Sequence, residues 1–475
     1  MKHKNIKYLL FLSVSCFLWA CKKELNVYPT TSEIDGNVIV DAKSASTVLN
    51  GVYYRFANAG FDYNNIPSVK WVDVNESIPS ELANTLIIPG YDDFNGFTFN
   101  SKTYGIDNIW NYGYALVNAA NGFLKNVAPV TSIPDAAKKQ MIAEAKFLRA
   151  FGNEELLLYY GQYNNVSSNY GIILHDEFVT TDNASQPRST VAAAYTSILA
   201  DLDAAISGLP AQNTQTFYAN ATAAKLLKAR VLINRGAAGD YAQVITLTKD
   251  AINNGPFVLE ASVKDLFLSK GFTSQEVILS VQPFSTENYK FQDYQYYQQY
   301  VATDKLKSLL ANDPRNQWYY KDYQSPYYGT LPELTKYYSG DINNIAQTPL
   351  SENCYAFRLT EAYLLQAEAI TLAGGSLADA RALLKTVLGH AGVSDFSAVD
   401  QATTPAALQL LIVQEEMKSF EGENGADWFA LRRLPFATIK TLQPAIAAAN
   451  QLILPIPDSE IITNNKVIQN PGYGN

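Results

Sequence analysis

The side chains best equipped for chemistry in this sequence are aromatic, and they are unevenly spread. Twelve of its 31 tyrosines fall within the 50 residues from Tyr289 to Tyr338, where even spreading would give roughly 3. A tyrosine ring offers an apolar face and a wet tip, so a segment rich in Tyr and in polar residues predicts a recognition surface; a packed core would favour Leu, Ile and Val. Residues arranged for catalysis are missing. Three His and three Cys in 475 residues leave little for a metal centre. No H-E-x-x-H, C-x-x-C, phosphate-binding loop, G-x-S-x-G, G-x-G-x-x-G or EF-hand pattern occurs. His175 and His390 stand alone and read as surface or capping residues. Acidic pairs such as Asp92-Asp93 and Glu415-Glu416 are expected by chance among 45 carboxylates, and adjacent helix residues do not face one another. Asp341-Ile342-Asn343-Asn344 reads as a turn. The sequence therefore argues for binding, with no cofactor, no metal and no catalytic residue.

Composition narrows the class. An apolar fraction of 47% and a charged fraction of 17% fit a folded globular chain. A net charge of −9 offers no general attraction for phosphate backbones, which argues against nucleic acid as a partner. The N-terminus reads as an address. Lys2, Lys4 and Lys7 precede an apolar run from Tyr8 to Ala20, the length of a signal-peptide core and too short to span a bilayer. Leu18-Trp19-Ala20-Cys21 resembles a bacterial lipobox, which implies cleavage after residue 20 and acylation of Cys21. Lys22-Lys23-Glu24 resembles the charged export signal of surface lipoproteins. With Cys16 removed and Cys21 acylated, Cys354 is left alone and no intramolecular disulfide can form. Two or more acyl chains make a stable membrane anchor for an otherwise soluble body.

The elements that must carry such a surface are mainly helical. Apolar residues recur at three- and four-residue steps from Asp135 to Gly161, and again from Ser189-Thr190 to Leu209-Pro210. Residues 222–254 read as two helices around Gly236-Ala237-Ala238-Gly239-Asp240. A second copy lies 138 residues on, aligning Leu226-Leu227 with Leu364-Leu365, Ala229 with Ala367 and Ala242 with Ala380. A helix hairpin of about 34 residues with this turn and alanine pattern looks like a tetratricopeptide unit. One such hairpin cannot bury its own face, so several must stack. Residues 60–110 and 284–350 do not read as helix, and a short strand is expected within Glu276–Val281.

Several segments, in order along the chain, resemble the SusD/RagB family of outer-membrane nutrient-binding lipoproteins. They are Leu25-Asn26-Val27-Tyr28-Pro29, Glu144 to Phe151 leading to Tyr159-Tyr160-Gly161, Arg188-Ser189-Thr190 with the helix after it, Arg358 to Ala369, Phe420-Glu421-Gly422 with Asp427 to Arg433, and Pro455-Ile456-Pro457 with Gln469 to Tyr473. The chain departs from the family pattern around Gly422, where Glu423-Asn424-Gly425-Ala426 follows, and Met417 follows Glu416. The resemblance implies an all-α dominated fold: tetratricopeptide-like hairpins as a scaffold, irregular insertions near 60–110 and 284–350, a few short strands, and one domain over 21–475 after a signal peptide over 1–20. It implies a surface lipoprotein that binds oligosaccharide and passes it to a SusC-like TonB-dependent barrel without cleaving it.

Sugar rings present weakly apolar faces rimmed by hydroxyls, which aromatic platforms and Asn, Asp or Arg side chains complement. The two insertions offer Trp71, Tyr91, Tyr296, Trp318, Tyr320 and Tyr327 as platform candidates, with Asp73, Asn75, Asp92, Arg315 and Asn316 beside them. Competing readings are the same architecture binding peptides or another nutrient, a glycan-cleaving enzyme, and a protein-binding scaffold.

Overall fold

The computed structural model describes residues 38–58, 71–282, 290, 300–338, 340–343 and 348–474. The signal sequence, Cys21, the Leu25–Pro29 motif and Tyr296 lie outside the described residues.

Helix α1 (Ala42–Asn58) packs on α3 (Tyr104–Val127) and α4 (Asp135–Tyr160). α4 begins after Pro134, stops at Gly161, and buries the apolar residues picked out by its periodicity, among them Phe147, Leu148, Phe151 and Leu156. α5 (Val191–Gly208) starts where Thr190 accepts a bond from the Ala193 amide at 3.1 Å and ends before Leu209-Pro210. The polar members of these helices join them. Tyr53 of α1 donates to Glu144 of α4 at 2.7 Å. Arg149 of α4 forks onto Asp201 of α5 at 2.7 and 2.9 Å.

Both copies of the repeat are helix hairpins: α6 (Ala221–Arg235) with α7 (Asp240–Asn254), and α9 (Leu359–Leu372) with α10 (Leu377–His390). In the first turn, Gly236 and Gly239 take left-handed φ angles of 61° and 86°, which a Cβ would strain. Asp240 fixes the turn by accepting from the Ala237 amide and from Arg235. The two hairpins are far apart in sequence yet stack in space. α7 packs on α9, and Ala229, Leu232, Ile233, Val244, Leu365 and Ala369 close their shared core. Arg230 of α6 and Glu361 of α9 form a fully buried bidentate pair at 2.9 and 3.0 Å. α11 (Pro405–Phe420) and α12 (Ala426–Leu431) continue the stack.

The irregular stretches hold more regular structure than their composition suggests. Val72–Ser77 forms a π-helical turn that runs into α2 (Ile78–Leu82). Strand β1 (Leu86–Ile87) follows. The expected strand, β2 (Val277–Val281), pairs antiparallel with β6 (Cys354–Arg358), and every residue of both is buried. A second sheet has the order β1-β3-β5-β4, with β3 Val301–Ala302, β4 Tyr320–Ser325 and β5 Gly329–Leu334. α8 (Asp304–Leu309) follows β3 directly. Cys354 is a free, buried thiol. No described helix is long and apolar enough to cross a membrane.

Candidate functional site

The four-stranded sheet brings the two insertions together. β1, from the first, pairs with β3, from the second, through Leu86 with Ala302 and Ile87 with Val301. β3 pairs with β5, and β5 turns back as a hairpin on β4. The hairpin tip is Pro326-Tyr327-Tyr328, closed by Gly329 at φ 74°; the amides of Tyr327 and Tyr328 both donate to Ser325 Oγ at 3.3 Å. The loop after β1 turns back where the Tyr91 amide donates to the Ile88 carbonyl at 3.0 Å. Gly90 sits at φ 82°, and a Cβ there would lie 3.1 Å from the Tyr328 hydroxyl. Loop and tip are therefore in contact.

Three rings stand out at this junction: Tyr91 is 76% exposed, Tyr327 84% and Tyr328 51%. Asp92 and Asp93 follow Tyr91 on the surface. Asp93 is engaged by Thr98, whose hydroxyl donates to it at 3.0 Å, whereas the Asp92 carboxylate accepts from no described side chain. A groove of about 600 Å³ crosses the same sheet, lined by Ile87, Ala302 and Pro332 together with Asn84, Asn95 and Lys305. Exposed aromatic faces beside amides, a carboxylate and an ammonium form a surface that can cover a ring and bond its rim.

The other candidates fare differently. Trp71 has no exposed surface; it lies against Phe56 and Phe151 at 5.2 and 5.8 Å, and its indole N–H donates to the Glu423 carbonyl at 3.2 Å. Asn75 is buried in the π-helical turn. Arg315 is buried in a cage of Asp313, Glu415 and Ser419, with its guanidinium 2.6 to 3.1 Å from them. Trp318 is only 9% exposed and packs edge-on to Tyr319 at 4.5 Å. These four are corrected: a side chain enclosed by the protein has no face left for a ligand. Asp73 is half-buried and accepts from Asn108 at 2.6 Å. Asn316 and Tyr320 are half-buried and bonded to each other at the base of the hairpin. Among the described candidates, only Tyr91, Asp92 and Tyr327 are gathered at the exposed junction. Tyr328 was missed, although Pro326 and Gly329 bracket it as a turn residue.

Much of the tyrosine surplus is also buried. Tyr300, Tyr319 and Tyr337 are fully enclosed; Tyr300 donates to Glu76 and Tyr337 to the Gly422 carbonyl. They belong to a charged layer that ties the insertions to the scaffold. Lys336 donates to the Ser419 and Glu421 carbonyls at 3.0 Å and to Glu423 at 2.5 Å. Arg358 joins Glu423 at 2.8 Å to Glu276 at 3.1 Å. Burial pushes the Glu423 carboxyl upward, but Arg358 and Lys336 outweigh it and hold it below its ordinary range. The departure from the family pattern after Gly422 falls in this layer.

Comparison with known proteins gives the class. Residues 73–233 match a family described as starch-binding and associating with the outer membrane, and residues 284–448 match the SusD family. Together the two matches cover more than half of the chain, which belongs to the SusD family. A SusD-like protein from Bacteroides ovatus is 25% identical over 422 residues, 79% of this chain and 74% of that protein. The fold superposes on a SusD superfamily protein from Bacteroides thetaiotaomicron with a TM-score of 0.73 at 20% identity, over 91% of this chain and all of that one. A laminarin-binding SusD-like protein gives 0.70 at 21% identity, over 92% of this chain and 100% of its own.

Proposed function

We propose that the protein is a lipid-anchored binder of oligosaccharide, working from residue 21 onward as one domain, that delivers its ligand to a SusC-like TonB-dependent barrel. The observation that carries this reading is the junction of the two insertions, where Tyr91, Tyr327 and Tyr328 expose their rings on a scaffold of the SusD family. Soluble proteins seldom leave adjacent large rings open without a partner. The lipobox-like Cys21 supplies the tether. Binding without cleavage fits a site built from rings and amides on a chain lacking catalytic motifs.

The test is calorimetry of the mature chain against a glycan panel, with the products analysed for new reducing ends. Binding by the parent protein that Tyr91→Ala and Tyr327→Ala each weaken by about five- to thirtyfold, with no new reducing ends, is the expected result. Equal affinity in parent and variants would remove the tyrosine junction; turnover abolished by one carboxylate substitution would make the protein an enzyme. Binding of peptides and of no glycan would change the nutrient class.

A further inference from the structure

A larger concavity, of about 750 Å³, lies between α3 and the 173–184 segment, and it shares no residue with the tyrosine junction or the groove beside it. One face of α3 lines it, with Asn111, Ala115 and Asn118 at three- to four-residue steps. Tyr114 packs on Trp110 at 4.7 Å and meets His175 edge-on at 5.9 Å, while Phe178 across the cleft is 36% exposed. Burial pulls the His175 imidazole below its ordinary pKa, which leaves it uncharged at neutral pH. The Asn111 amide bonds to no described residue. Asn118 accepts from the Val179 amide at 2.8 Å, and its NH₂ donates to none of the described residues.

The cleft also holds an arginine unlike the others. Every other arginine of the chain donates to a carboxylate or a backbone carbonyl: Arg149, Arg188, Arg230, Arg235, Arg315, Arg358, Arg381, Arg432 and Arg433 all do so. Arg55, half-buried at the end of α1, donates to no described residue and opens on the cleft. A guanidinium keeps its charge at any working pH, and its planar fork matches a carboxylate. The one carboxylate among the described residues that line the cleft, Glu460, already accepts from Asn464 at 2.8 Å.

We propose that this cleft is a second saccharide site in which Arg55 selects a sugar unit bearing a carboxylate, a uronic acid. Rings and amides of α3 and the facing segment hold the sugar, and the guanidinium binds its acid group. The inference rests on the protein being a glycan binder, but not on the tyrosine junction.

The experiment titrates the mature chain with a panel of oligouronides (galacturonate, glucuronate and mannuronate oligomers), each beside its methyl ester, and repeats the titrations with Arg55→Gln, Asn111→Ala and Tyr327→Ala. The expected result is an acid bound about tenfold or more tighter than its ester. Arg55→Gln should erase that preference while retaining neutral glycans, Asn111→Ala should weaken acid and ester alike, and Tyr327→Ala should leave the preference intact. No acid preferred by the parent, or a preference that survives Arg55→Gln, overturns the proposal even where the tyrosine junction binds neutral glycan. A peptide acid preferred over its amide through Arg55, with no uronide bound, also overturns it. Failure of Tyr327→Ala to weaken any glycan would count against the junction alone.

Discussion

At the scale of single residues, identity and exposure separate two roles that the sequence presents alike. Tyr327 and Tyr337 come from the same tyrosine-rich window, yet one is 84% exposed and the other 1%. Composition located the window but could not sort its rings, because sorting depends on which strand and which face each ring occupies. Trp71 shows the cost of that ambiguity: its neighbours Val72, Val74 and Ile78 are core residues, and a ring on their helical face goes inward with them. Trp71→Ala should therefore destabilise the fold by about 3–5 kcal/mol, the range for deleting a buried large aromatic, as read by urea denaturation. Tyr327→Ala should leave the denaturation midpoint within error of the parent and act only on ligand affinity.

At the scale of elements, the hairpins were legible and their mutual placement was not. The periodicity of 222–254 and its copy gave helix, turn and helix in both places, because a stripe of apolar residues and a glycine turn are local signals. That α7 rests against α9 depends on contacts across more than a hundred residues, which local pattern does not encode. The Arg230–Glu361 pair, which joins α6 to α9, reports on the same stacking of the two hairpins. Glu361→Leu should cost about 3–5 kcal/mol by stranding a buried guanidinium, and Arg230→Met together with Glu361→Leu should recover much of the loss. Chemical denaturation of the two single variants and the double variant measures the coupling. The irregular insertions were legible only as departures from helix, since β1 and β3 are two residues each and carry no periodicity.

For the whole molecule, buried carboxyls set the response to pH. Burial raises Glu154 to about 7, Asp427 to about 6 and Glu421 to about 8, with hydrogen bonds and neighbouring cations only partly opposing it. Each folded-state value lies above the unfolded one, so the native state holds protons that the unfolded chain has released. The stability this gives is complete below the unfolded values and is lost as pH rises through the folded ones. Asp313 works in the opposite sense: burial is outweighed by Arg315 and its pKa falls to about 2, so its contribution disappears only in stronger acid. Melting temperature should decline from about pH 5 to pH 8.5, and Glu421→Gln should flatten the upper part of that decline. A melting temperature that climbs over this interval would show that these carboxyls ionise without penalty.

The contact between Gly90 and Tyr328 also has a temporal consequence. The two sides of the tyrosine junction are separated by more than two hundred residues of chain, and a sheet with one strand from the first insertion and three from the second brings them within reach. Closing so long a loop is slow. A ribosome-released half of the polypeptide, or a protease-clipped one, should therefore lack the tyrosine junction however well its helices form, and ligand binding there should arrive in a single late step of maturation.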